Sequence, residues 1–89
     1  MKPLHGLIVE DDPIVEFIHR NYLEKIGRFQ EIYSADAVTD AEYLLQNKQV
    51  DLVLLDVHLK NGNGLDLLKE IRNSQQAIEV ILITAANET

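Results

Sequence analysis

The chain predicts an α/β fold, a parallel sheet doubly wound by helices, on three observations. Short apolar runs alternate with segments of helical period in the order β-α-β-α-β-α-β. The runs at 51–56 and 78–84 have continuous apolar centres, as strands buried on both faces do. Acids close two of the runs, with Glu10 and Asp11 after Leu7-Ile8-Val9 and Asp56 ending Asp51-Leu52-Val53-Leu54-Leu55-Asp56. If both runs are parallel strands of one sheet, the acids converge at its carboxyl edge, where open α/β sheets place their chemistry.

Leu4–Val9 reads as a buried strand bounded by acids and Pro13. From Pro13 the period changes. Ile14, Ile18, Tyr22 and Ile26, flanked by Phe17, recur every four residues and predict a helix with that face on the core. Pro13 suits the first turn, where its missing N–H has no intrahelical partner, and Gly27 suits the stop. Residues 29–33 form a less regular strand, with Ser34 or Asp36 as the cap of the next helix. Val38, Ala41, Leu44 and Leu45 support that helix to Gln46 or Asn47. Asn61-Gly62-Asn63-Gly64 is a turn, and Leu65, Leu68 and Ile71 mark a third helix. Asn-Gly is also the strongest local hairpin signal, but the segment after it lacks two-residue alternation.

Eighty-nine residues permit one domain at most. Eight basic against fifteen acidic residues give a formal charge of -7, which argues against this segment gripping a nucleic-acid backbone by itself. The absence of cysteine fits a reducing compartment. The start lacks the apolar stretch of a secretory signal, and no run reaches the roughly 18 apolar residues of a membrane span, so a cytoplasmic location is expected.

Three close carboxylates repel one another, and partial desolvation raises the penalty for keeping them charged. A bound Mg²⁺, or Mn²⁺ in its place, offsets both effects through oxygen ligation, leaving positions for water, a backbone carbonyl and a phosphate. Phosphoryl chemistry suits this constellation better than redox or acyl transfer. Asp56 can act as nucleophile toward a phosphoryl donor, since carboxylates form acyl phosphates. Thr84, at the end of the fourth strand, offers a hydroxyl to one phosphoryl oxygen, and amides of the turn after Asp56 can take another. Structural readings compete: Asp56 as a strand-end cap, Thr84 as a β-favouring residue. His5, His19 and His58 lack zinc-site spacing, although the backbone carbonyl of His58 can reach a cation while its ring faces outward. The turn glycines form neither a Walker loop nor a dinucleotide fingerprint, and no cofactor-binding residue is expected beyond the metal ligands.

Taken together, Val9-Glu10-Asp11-Asp12-Pro13, the segment leading to Asp56, Gly64-Leu65-Asp66-Leu67-Leu68 and Ile83-Thr84-Ala85 resemble, in that order, the motifs of the receiver domain of bacterial two-component response regulators. The resemblance covers essentially the whole chain. It implies a flavodoxin-like receiver fold with strand order 2-1-3-4-5, here ending after the fourth strand, so that residues 1–89 would be the amino-terminal part of a receiver. It further implies metal ligation by Glu10, Asp11, Asp56 and the His58 carbonyl, phosphorylation of Asp56, and a phosphate-responsive hydroxyl on Thr84. Asp12 would sit beside the site. A sensor histidine kinase would be the donor and a separate output domain would contact DNA. The run Val57-His58-Leu59-Lys60-Asn61-Gly62-Asn63-Gly64 is similar to regulators responding to citrate, malate or related dicarboxylates.

Two departures stand out. Lys60 occupies a position where many relatives carry proline, and the family's lysine after the fifth strand has no counterpart in the 89 residues; neither Lys60 nor Lys69 takes that role. An uncovered fourth strand is expected to favour association. The leading expectation is a signalling phosphoacceptor rather than a metabolic enzyme. The alternatives are a receiver-like interaction module that never accepts phosphate and a small Mg²⁺-dependent phosphatase or phosphotransferase.

Overall fold

The computed structural model describes residues 2–84; Ala85, which closes the last of the family motifs, lies outside the described residues. The elements are β1 (Leu4–Val9), α1 (Pro13–Ile26), β2 (Phe29–Ala35), α2 (Val38–Asn47), β3 (Leu52–Asp56), α3 (Gly64–Asn73) and β4 (Glu79–Ile83). The strands form one parallel sheet in the order β2-β1-β3-β4. Asn61-Gly62 therefore turns into a helix and not a hairpin.

The connection through α1 lays β2 on one side of β1, and the connection through α2 returns to lay β3 on the other. Strand order reverses between β1 and β3, and the crevice at their carboxyl ends is the topological switch point, where such sheets bind ligands. Local chemistry sets the helix that starts beside it. Asp12 caps α1, its Oδ1 accepting the Ile14 N–H at 2.9 Å, with Pro13 in the first turn. Gly27 ends α1 in the left-handed region at φ 75°, and its N–H returns to the Glu24 carbonyl.

The sheet separates two apolar layers. On one face Leu7, Val9, Val53 and Leu55 pack with Ala41, Leu67 and Ile71 of α2 and α3. On the other, Ile8 and Leu54 pack with Leu23 of α1, edged by Phe29, Ile32 and Leu52.

Three sequence expectations are corrected. The stripe of α1 expected on the core is exposed: Ile14 is 71 % accessible, Ile18 57 % and Tyr22 65 %, with Phe17 and Ile26 also exposed. The helix is rotated so that Val15, His19 and Leu23 face the sheet, because polar Glu16 and Arg20 have partners on β2. Arg20 donates to Glu16 at 3.0 Å and to the Ile32 carbonyl at 3.0 Å, while the Ser34 hydroxyl donates to Glu16. Secondly, β2 runs on to Ala35 because it stays paired with β1 as far as Val9, so neither Ser34 nor Asp36 caps α2; Ala37 holds that position without a side-chain bond. Thirdly, α3 buries Gly64, Leu67 and Ile71 while Leu65 is exposed. The expected exposure of the fourth strand is present, with Ile81 and Leu82 open to solvent on the β4 edge.

Candidate functional site

β1 and β3 are in register with Val9 opposite Leu55, so Glu10 and Asp56 leave the sheet as neighbours. The Glu10 amide still bonds to the Ala35 carbonyl at 2.9 Å, which keeps its main chain anchored to the sheet. Asp11 begins the turn into α1. One carboxylate oxygen from each of Glu10, Asp11 and Asp56 falls within a set whose members are all within 4.8 Å of one another. Glu10 and Asp56 are only 7 % and 8 % exposed, and Asp11 is half-buried.

Each of these carboxylates accepts one main-chain N–H. Glu10 Oε2 takes the amide of Asp12 at 3.2 Å, Asp56 Oδ1 that of His58 at 2.9 Å, and Asp11 Oδ2 that of Lys60 at 2.8 Å. A carboxylate has two oxygens and about four acceptor sites, so every one of the three keeps capacity for a cation.

Burial pushes the Glu10 carboxyl up from 4.5 to about 7; the Asp12 amide pulls against that shift, and the neighbouring Asp56 and Asp11 charges add to it. The protein thus strains to keep three acids ionised in one place. Oxygen donors alone, clustered and electron-rich, fit a hard divalent cation such as Mg²⁺ rather than a soft metal.

The other candidate residues are placed as follows. His58 is exposed at the rim, and its amide is occupied by Asp56, so that amide is not the free donor to a phosphoryl group that the turn was expected to offer. Ile83 pairs with Asp56, and Thr84 follows it at the same sheet edge as an exposed residue. The groove above the acids is bordered on the β4 side by Ile83, and Thr84 is not part of its lining. His5 lies at the opposite end of the sheet, bonded to Asp51 at 3.2 Å. His19 is half-buried on α1, and Lys69 is exposed on α3.

Sequence reasoning missed the amides of Asp12, His58 and Lys60, since main-chain donors carry no residue-type signal. It also undervalued Gly64. This buried glycine presses the start of α3 onto the main chain of Asp56 and Val57.

Residues 7–89 match the family described as response regulator receiver domain. The chain belongs to that family. This receiver is 43 % identical over 85 residues to the transcriptional regulatory protein MalR of Bacillus subtilis, covering 96 % of the chain and 36 % of MalR. It is 35 % identical over 85 residues to the transcriptional regulatory protein DcuR of Escherichia coli, with 93 % of the chain and 36 % of DcuR covered. Among solved structures it is similar to the MaeR response regulator bound to beryllium trifluoride, at 59 % identity and a TM-score of 0.88, over 96 % of this receiver and 70 % of that chain. The receiver therefore spans about a third of the length of these curated relatives. Its strand order and three helices are those of a flavodoxin-like receiver fold, as the sequence predicted. No helix among the described residues is long and apolar enough to cross a membrane.

Proposed function

We propose that this receiver is the phosphoacceptor module of a two-component pathway, taking a phosphoryl group from a phosphohistidine of a sensor histidine kinase onto Asp56. The observation that carries the reading is the meeting of Glu10, Asp11 and Asp56 within 4.8 Å at the switch point of the sheet. The relative MaeR was solved with beryllium trifluoride, a phosphomimetic, which supports the same reading.

Glu10, Asp11 and Asp56 would hold Mg²⁺, or Mn²⁺, together with the His58 carbonyl. When bound, such a cation neutralises charge on the acids and on the transferring phosphoryl oxygens. The residues of the chain do the rest. The His58 amide fixes the Asp56 carboxylate through Oδ1, which limits its rotation toward the donor. A carboxylate oxygen of Asp56 attacks phosphorus, an O–P bond forms, and the P–N bond to the donor imidazole breaks. The leaving nitrogen keeps the electron pair and takes a proton from solvent. The Thr84 hydroxyl, one residue beyond the strand partner of Asp56, then donates to a phosphoryl oxygen. The added charge and acceptors bias the conformation of this edge, the physical basis of a switch.

The resulting signal would pass to a DNA-binding output domain outside these residues, in a cytoplasmic regulator of transcription. The names of the relatives, which include a probable C4-dicarboxylate response regulator from Halalkalibacterium halodurans, favour a dicarboxylate stimulus.

Incubation with phosphoramidate, whose P–N bond mimics that of the kinase donor, tests the reading. The expected result is one added phosphoryl group per chain in Mg²⁺ and none after chelation, with lower yield in Glu10→Gln and Asp11→Asn. Equal yield with and without the cation would contradict it.

A further inference from the structure

Two acids of the cluster are steadied by their own loops, Glu10 by the amide of Asp12 and Asp56 by the amide of His58, each two residues along the chain. Asp11 is different. It is the first residue past the end of the paired strand, half-buried, and its amide donor comes from Lys60, 49 positions away on the loop between β3 and α3. That loop is itself braced. The Asn63 side chain caps α3 through the Leu65 N–H at 2.8 Å, and Gly64 packs on the Asp56 main chain. The bond from Lys60 therefore ties the turn that carries Asp11 to a segment already fixed against Asp56.

We propose that Lys60 is a positioning residue for the cation site and acts through its main chain: its N–H holds Asp11 Oδ2 so that the remaining lone pairs of that carboxylate face Glu10 and Asp56. The ammonium group is not required, and any residue with an amide hydrogen serves. Proline does not, because it has no such hydrogen. Partners that orient a metal ligand typically change affinity by about tenfold or more when removed. The inference rests on the cation reading of the site.

The test compares the parent protein, Lys60→Ala and Lys60→Pro by calorimetric titration with Mg²⁺ alone, and follows exchange of the Lys60 amide hydrogen by NMR without metal. Lys60→Ala should bind as the parent does and Lys60→Pro about tenfold more weakly. The Lys60 amide should exchange slowly in the parent and faster in Asp11→Ala, a result that stands even if the proline variant loses its fold. Equal affinity of parent and Lys60→Pro, equal weakening in Lys60→Ala and Lys60→Pro, or an exchange rate indifferent to Asp11 would overturn the proposal while leaving the cation reading intact. A parent protein that does not bind Mg²⁺ would overturn both.

Discussion

A Cβ added to Gly64 would stand 2.5 Å from the main-chain carbonyl oxygen of Asp56 and 3.0 Å from Cα of Val57. Helix α3 starts hard against the backbone that carries the proposed phosphoacceptor, and backbone cannot swing aside as a flexible side chain does. Gly64→Ala is expected to lower stability by about 2 kcal/mol or more and to reduce phosphorylation of Asp56 by displacing it. Urea unfolding and the yield from a phosphodonor check both effects. A variant with unchanged midpoint and yield would show that α3 can retreat freely.

The pH dependence of the metal-free protein follows from Glu10. Its carboxyl titrates near 7 when folded against 4.5 ordinarily, so between these values the folded chain holds a proton that the unfolded chain has released. Stability should therefore fall as pH rises from 4.5 to 7, and the loss is complete above that range. Glu10→Gln should remove this slope and, with chelator present at pH 8, gain about 1–2 kcal/mol over the parent. Cation binding requires ionised Glu10, so Mg²⁺ affinity should weaken as pH falls below about 7. Urea midpoints across this range with and without Mg²⁺ decide the matter, and a parent curve as flat as that of Glu10→Gln would refute it.

At the far end of the sheet, Asp51 Oδ2 accepts both the main-chain N–H of His5 at 2.8 Å and its Nδ1 at 3.2 Å. Burial opposes ionisation of Asp51, but the His5 amide and ring outweigh it and hold the carboxyl below 3.8. The contribution of this pair is present above that value and disappears as pH falls through the depressed one. Asp51→Ala should therefore be less stable than the parent near pH 6, with the difference closing in strong acid. Paired urea titrations at pH 6 and pH 2.5 measure this.

The rotation of α1 gives a sharp contrast between two apolar residues. Leu23 is 2 % exposed and Ile18 is 57 % exposed. Leu23→Ala should destabilise by about 2–4 kcal/mol, whereas Ile18→Ala should stay within about 0.5 kcal/mol. The opposite ranking would put the stripe of Ile14, Ile18 and Tyr22 back on the sheet.

The same contrast shows where sequence was readable. The ends of β1 and β3 could be placed because Glu10 and Asp56 interrupt apolar runs abruptly, and α1 could be bounded because Pro13 and Gly27 act through local backbone chemistry. The meeting of the three acids followed once the strands were taken as parallel neighbours. Which face of α1 meets the sheet depends on partners of Glu16 and Arg20 that lie on β2, at Ser34 and Ile32, and no helical period encodes those. Ser34 and Asp36 looked like helix caps because both residue types favour that role, yet pairing with Val9 keeps β2 extended through Ala35. The Lys60 amide that reaches Asp11 was invisible for a simpler reason, since every residue except proline offers the same group.

Peptide mapping of the phosphoryl group is the most direct measurement. The protein and Asp56→Asn are each incubated with Mg²⁺ and a small phosphodonor, digested under mild conditions, and analysed by mass. The account predicts a single acid-labile phosphate on the peptide containing Asp56 in the parent and none in the variant. Equal labelling of both proteins, or a phosphate on any other side chain of the parent, would contradict it.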